Sequence, residues 1–142
     1  MDDPPTSTVL PPRLTSILKR SFVAEQSASG ARRRSAFRAT RYLIGAAVAS
    51  GIHPTDIAEL KGVTVGSVRT RAAIADGIIP PKEFAELARV SERRIRHWER
   101  AGMLPAPSTD HWGTFGYPAR ALLRALLAPA GAPSSSSPST GL

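Results

Sequence analysis

Residues 89–100 hold Arg89, Arg93, Arg94, Arg96 and Arg100, with His97 among them. A guanidinium makes forked hydrogen bonds to phosphate oxygens and to the edge of guanine that an ammonium cannot, so the chemistry such a row can do is anion recognition. At about 100° per residue on a helical wheel, Arg93, His97 and Arg100 lie opposite Ile95, with Arg94 and Arg96 flanking. The alternative is a solvated helix face, with Glu92 and Glu99 as local partners. The same wheel drawn on Val68 places Gly66, Thr70 and Ala73 on the opposite face, with Ser67 and Arg69 beside them. That face is small and neutral apart from one arginine, suited to close approach and to thymine methyl groups. A third group, Arg32, Arg33 and Arg34 followed by Arg38 and Arg41, has no acid within it. It reads as a phosphate-contacting arm, or as a soluble helix start. Trp98 falls on the core side by its angle. His97 reads as a phosphate or base-edge contact before a pH switch.

No carboxylate pair, nucleophile with a base, metal set or phosphate loop stands out, so no enzyme and no cofactor is expected. The three histidines, His53, His97 and His111, show no metal-ligand spacing, and with no cysteine there is no thiolate site or disulfide framework. Over 142 residues, 19 Lys and Arg against 11 Asp and Glu leave a net charge of +8. Such a balance favours a polyanion, nucleic acid or an anionic membrane surface, although it also serves solubility. Sixteen of those cations are arginines, which a GC-rich genome would also favour. The longest apolar run, Leu43 to Ala49, is far too short to span a bilayer. No basic start followed by an apolar run opens the chain, so a cytosolic location, in a bacterial host, is the default expectation.

These side chains need helices to present them. Gly51-Ile52, Gly77-Ile78 and Gly102-Met103 each place glycine after a helix-favouring stretch and an apolar residue after it, the pattern of a left-handed helix stop. A shift of 27 residues aligns Ala58-Glu59-Leu60 with Ala85-Glu86-Leu87, Val63 with Val90, Thr64 with Ser91, and Val68-Arg69 with Ile95-Arg96. Two units are too few for a solenoid, and a duplicated helix-turn-helix fits. Ala58 and Ala85 permit close helix crossing, Gly62 suits the sharp turn, Thr64 and Ser91 suit N-caps, and Val68 and Ile95 point inward. Helices are expected at 13–26, 33–50, 55–61, 65–76, 82–88 and 92–101. A short hairpin should lie between Ala106 and Tyr117, and a last helix should begin at Pro118. The expected fold is all-α, tandem helix-turn-helix units with a β-hairpin wing on the second. Its parts are an N-terminal arm over 1–30, a first unit over 31–80, a second over 81–128, and a tail over 129–142. Residues 1–12 and the tail are too poor in core-forming residues to order themselves and should be mobile.

From Phe84 to Leu127 the chain resembles the MerR-type winged helix-turn-helix. Val90-Ser91 and Ile95-Arg96-His97-Trp98-Glu99-Arg100-Ala101-Gly102-Met103-Leu104-Pro105 are similar to that family's V-S-x-x-T-I-R-Y-Y-E-x-x-G-L-L-x-P run. His97 and Trp98 stand for the paired tyrosines, and Arg89 holds the place of a turn glycine. The resemblance implies DNA contacts by Arg96 and His97 and backbone contacts from a wing around His111–Thr114. Only 14 residues follow Ala128, which implies that the family's dimerisation helix and ligand-sensing domain are missing. GVTVGSVRTR at 62–71 resembles the helix-turn-helix of sigma factors and LuxR-type regulators. The tandem as a whole resembles the small immunity repressors of actinobacterial phages.

The resulting expectation is a regulator of transcription, a repressor of the phage immunity type, binding double-stranded DNA at one asymmetric site. It would act as a monomer, with no membrane and no small-molecule ligand. The candidate contacts are Arg32, Arg33, Arg34, Arg38, Thr64, Gly66, Ser67, Arg69, Thr70, Ser91, Arg93, Arg94, Arg96, His97, Arg100, His111 and Thr114. A phage excisionase and an adaptor for RNA polymerase or a sigma factor are the alternatives.

Overall fold

The computed structural model describes residues 10–74 and 76–128. The expected mobility of the two ends falls largely on residues outside this range. Among the described residues the fold is all-α apart from a small sheet, with seven helices and three short strands.

Helix α1 (Pro12–Ser27) starts on a proline, whose missing N–H and fixed φ suit the first turn. Leu14, Ile17, Leu18 and Phe22 form one buried stripe along it. Against that stripe lies α2 (Gly30–Ala49), whose alanines bring the two backbones close. The buried Thr40 hydroxyl lies 2.9 Å from the carbonyl of Ala36 in its own helix and 3.2 Å from that of Ser21 in α1. The helix expected at 13–26 is thus present, but the stretch assigned to an arm lies at the centre of the core.

The first helix-turn-helix is α3 (Pro54–Lys61) and α4 (Val65–Arg71). Gly62 takes the turn at φ 78°, and the Thr64 hydroxyl caps α4 by accepting from Ser67 N at 3.1 Å. Ala58 and Val68 are buried where the two helices cross. The second unit repeats this geometry in α5 (Pro81–Ala88) and α6 (Glu92–Arg100). Ser91 accepts from Arg94 N at 3.0 Å, and Ala85 and Ile95 are buried. Both turns close with the same main-chain bond, Val63 N to Ala58 O and Val90 N to Ala85 O, each 3.1 Å long.

Two of the three glycine stops behave as expected. Gly51 and Gly102 have positive φ, and the following Ile52 and Met103 donate back to Ala47 and Trp98. Gly77 does not: among the described residues it is outside the positive-φ set, and α4 ends at Arg71 instead of 76. Gly77 instead leads into a strand that the local pattern did not signal, β1 (Ile78–Ile79). The expected hairpin is present as β2 (Ser108–Thr109) and β3 (Phe115–Pro118), and the sheet order is β1-β3-β2, antiparallel throughout. Two apolar residues carry no periodic signal, and what makes them a strand is a partner roughly 40 positions away. Helix α7 (Ala119–Leu127) comes next, with Pro118 as its N-cap.

One hydrophobic cluster runs from α1 through both units to α7. Residue 80, the expected boundary, sits between β1 and α5, yet β1 is hydrogen-bonded to the wing strand β3 across it. Polar contacts repeat the pattern. Arg13 donates to Leu126 O in α7 at 3.0 Å, and Arg20 to Leu87 O in α5 at 2.7 Å. Glu25 of α1 pairs with Arg71 of α4 at 2.8 Å and with Lys61 of α3 at 3.6 Å. Helix α1 is thus the seat on which both units rest.

Candidate nucleic-acid interface

Helix α6 is strongly two-faced. Ile95 and Trp98 are buried, and Trp98 meets Phe84 of α5 edge-on with ring centroids 6.5 Å apart. Arg93, Arg94, Arg96, His97 and Arg100 are all exposed. No ion pair engages the four arginines among the described residues. Glu99 is turned away from them: the Tyr117 hydroxyl donates to its Oε1 at 2.6 Å. Burial, and then the hydrogen bond and charge of Glu99, push the Tyr117 phenol up to about 12, with Arg96 opposing the shift. That bond fixes the wing strand against the helix and removes one of the two acids that could have neutralised the cationic row. Arg94 borders a recess that it shares with Arg13, Arg20 and Arg89, so it leans towards α1.

On α4, Gly66, Arg69 and Thr70 are exposed and Ser67 is half-buried. The Thr70 hydroxyl is occupied by its own helix, donating to Gly66 O at 3.0 Å. Ala73, expected on the same helical face, lies beyond the end of α4. Thr64 and Ser91 are exposed, and each hydroxyl accepts a capping N–H, which leaves its proton to donate outward. Arg71, at the end of α4, is turned inward to Glu25, with its guanidinium 4.4 Å above the Phe37 ring of α2.

The wing tip is organised by Asp110. Its Oδ1 accepts from Trp112 N and Thr114 N, both at 2.9 Å, while Asp110 N donates to Thr114 O. This presents His111 and Trp112 to solvent, their rings 4.4 Å apart. Thr114 is half-buried and faces a small recess with Arg38 and Glu83. The Glu83 carboxyl is raised by its burial, although Ser35 donates to it at 3.0 Å and Arg38 lies near.

The arginines of α2 divide. Arg33, Arg34, Arg38 and Arg41 border a cleft reaching the wing tip, whereas Arg32 borders a different recess beside Lys82 and Glu86. Phe37 was not among the expected contacts, and although Arg41 was grouped with the arm and Trp112 lies within the expected wing region, nothing in the sequence placed the three at one cleft. An aromatic residue in a hairpin looks in sequence like a core residue; its exposure is visible only once the wing is folded.

Residues 80–111 match the sequence model of the MerR family regulatory protein. The matched segment begins at the end of β1 and runs through α5 and α6 to the wing tip. It supports a MerR-type helix-turn-helix unit, and with it a DNA-binding regulator of transcription whose partner is DNA. No curated protein and no solved structure matches the chain. Among the described residues no helix is long and apolar enough to cross a membrane.

Proposed function

We propose that the chain is a transcriptional repressor that reads one asymmetric duplex site with two unlike helices, α4 and α6. The observation that carries this reading is the exposed cationic face of α6, whose arginines have no acid paired to them among the described residues. Arg93, Arg96, His97 and Arg100 would enter the major groove, where a forked guanidinium contact to guanine discriminates between bases. Helix α4 would lay Gly66 and Thr70 against bases, with Arg69 as its one cationic reader and Ser67 beside it. Thr64 and Ser91 would donate their hydroxyl protons to phosphates, and Arg94, His111 and Thr114 would flank the backbone. Arg32, Arg33, Arg34 and Arg38 would neutralise phosphates between the two readers. Because the reading helices differ, a single chain supplies two different half-sites and needs no twofold partner.

Selection of bound duplexes from a random library, followed by titration of the best site against salt, tests this reading. A one-to-one complex on a non-palindromic site is the expected outcome. Arg93→Ala is expected to weaken that complex by about 1–3 kcal/mol and to relax one base position, with an unchanged circular dichroism spectrum. A palindromic site holding two chains would overturn the monomeric reading. Several phased sites with strong bending would point to an excisionase, and capture of RNA polymerase without duplex binding to an adaptor.

A further inference from the structure

The cleft bordered by Arg33, Arg34, Arg38 and Arg41 has a composition that a DNA backbone does not require. Its volume is about 630 Å³, and no aspartate or glutamate borders it. Sites for small organic ligands fall in the range of roughly 300–1,000 Å³. Among the described residues Arg33, Arg34 and Arg41 have no ion pair, and Arg41 Nε is buried without a hydrogen-bond partner. Four guanidinium groups crowded on one helix face repel one another, and a bound anion relieves that repulsion.

The lining is also apolar in part. Phe37, Ile74 and Trp112 are 45 %, 42 % and 66 % exposed, and all three border this same cleft. Single exposed apolar side chains are ordinary. Three around one concavity, set among cations, form a binding surface. Arg71 lies over Phe37 and holds its ring in place. Phosphates of a duplex call for charge but not for an apolar floor, and a duplex backbone is convex. A flat ring carrying a negative group uses both kinds of side chain, the ring by stacking and cation–π contact and the negative group by forked hydrogen bonds.

The cleft also joins the two readers. Arg33 to Arg41 belong to α2, Ile74 to the segment leaving α4, and Trp112 to the wing tip of the second unit. We propose that it binds a planar organic anion of nucleotide size, and that the bound anion takes Arg33, Arg34 and Arg38 away from the DNA backbone. The second half rests on the DNA reading above; the first does not.

The test uses the full chain and adenosine 5′-diphosphate as probe, followed by tryptophan fluorescence. The chain has two tryptophans, and Trp98 is only 6 % exposed, so quenching reports Trp112. Saturable quenching is expected, with pyrophosphate (no ring) and adenosine (no charge) each at least about tenfold weaker, since both the cations and the apolar side chains contribute. Arg34→Ala and Arg41→Ala should each weaken binding severalfold with unchanged circular dichroism. Equilibrium dialysis with labelled nucleotide extends the same comparison to Trp112→Ala. Saturating nucleotide should lower the affinity for duplex severalfold. Equal binding of pyrophosphate and nucleotide would reduce the cleft to a bare phosphate patch and overturn the proposal. Quenching by duplex alone would make it a DNA groove. Nucleotide binding that leaves duplex affinity unchanged would sink the competition. A chain that binds nucleotide but no duplex would instead refute the DNA reading and leave the anion site standing.

Discussion

Arg89 and Gly62 occupy the same place in the two turns, at φ 60° and 78°. Gly62 adopts the left-handed conformation freely, whereas an L side chain there is strained by about 1–3 kcal/mol. Arg89 is the sole non-glycine residue with positive φ among those described. Arg89→Gly is therefore expected to raise the melting temperature, by an amount equivalent to up to about 1 kcal/mol, in a thermal melt followed by circular dichroism. The Tyr117–Glu99 bond gives a second prediction. A phenol raised from its usual 10 to about 12 is held neutral by the fold. Its contribution to stability is fully present below pH 10 and is lost as the pH rises through about 12, because the folded state holds the proton longer. Alkaline unfolding curves should lose this component in Tyr117→Phe. At neutral pH that variant should be less stable by about 1.5–3 kcal/mol, the range for a hydrogen bond to a charged group.

Helix α1 shows how an element can matter more than its position suggests. Its stripe of Leu14, Ile17 and Leu18 is fully buried, and its polar side chains reach α3, α4, α5 and α7. Leu18→Ala should cost about 2–5 kcal/mol in chemical denaturation, the range for a large-to-small change in a close-packed core. A peripheral arm would show a change near zero. By contrast α4 is shorter than its sequence pattern implies. It stops at Arg71, and the chain beyond it passes close to α2: a Cβ on Gly45 would meet the carbonyl oxygen of Ile74. The same close approach accompanies Ile74 at the cleft edge.

The two helix-turn-helix units share a core, so α4 and α6 are held at a set spacing instead of on a loose tether. If both helices dock on one duplex, as proposed, rigid presentation lowers the entropy lost when the second one docks. It also couples their stabilities. Val68→Asp puts an unpaired charge at a position 1 % exposed in the first unit. It should lower, in one transition, both the helical signal and the fluorescence of buried Trp98 in the second unit. Two separated transitions would mean that the units fold independently. If a planar anion and DNA compete for the α2 arginines, the coupling extends to regulation, since the cleft touches both units.

Much of this molecule is legible in local pattern. The 27-residue repeat, the apolar spacing around Val68 and Ile95 and the capping hydroxyls of Thr64 and Ser91 specify two helix-turn-helix units, because capping and helical periodicity are short-range. The exposed row on α6 follows from the same periodicity. What lay beyond reach depended on contacts between distant residues. Ile78 and Ile79 are a strand because Tyr117 and Pro118 pair with them. Glu99 is removed from the arginine row by a hydroxyl 18 positions away. Arg32 is separated from Arg33 and Arg34, and Trp112 is brought to the same cleft as Phe37, by the way α2 and the wing fold. A helical wheel says which side of one helix a residue occupies; which residues meet across a cleft is decided by packing, and packing is a property of the folded chain.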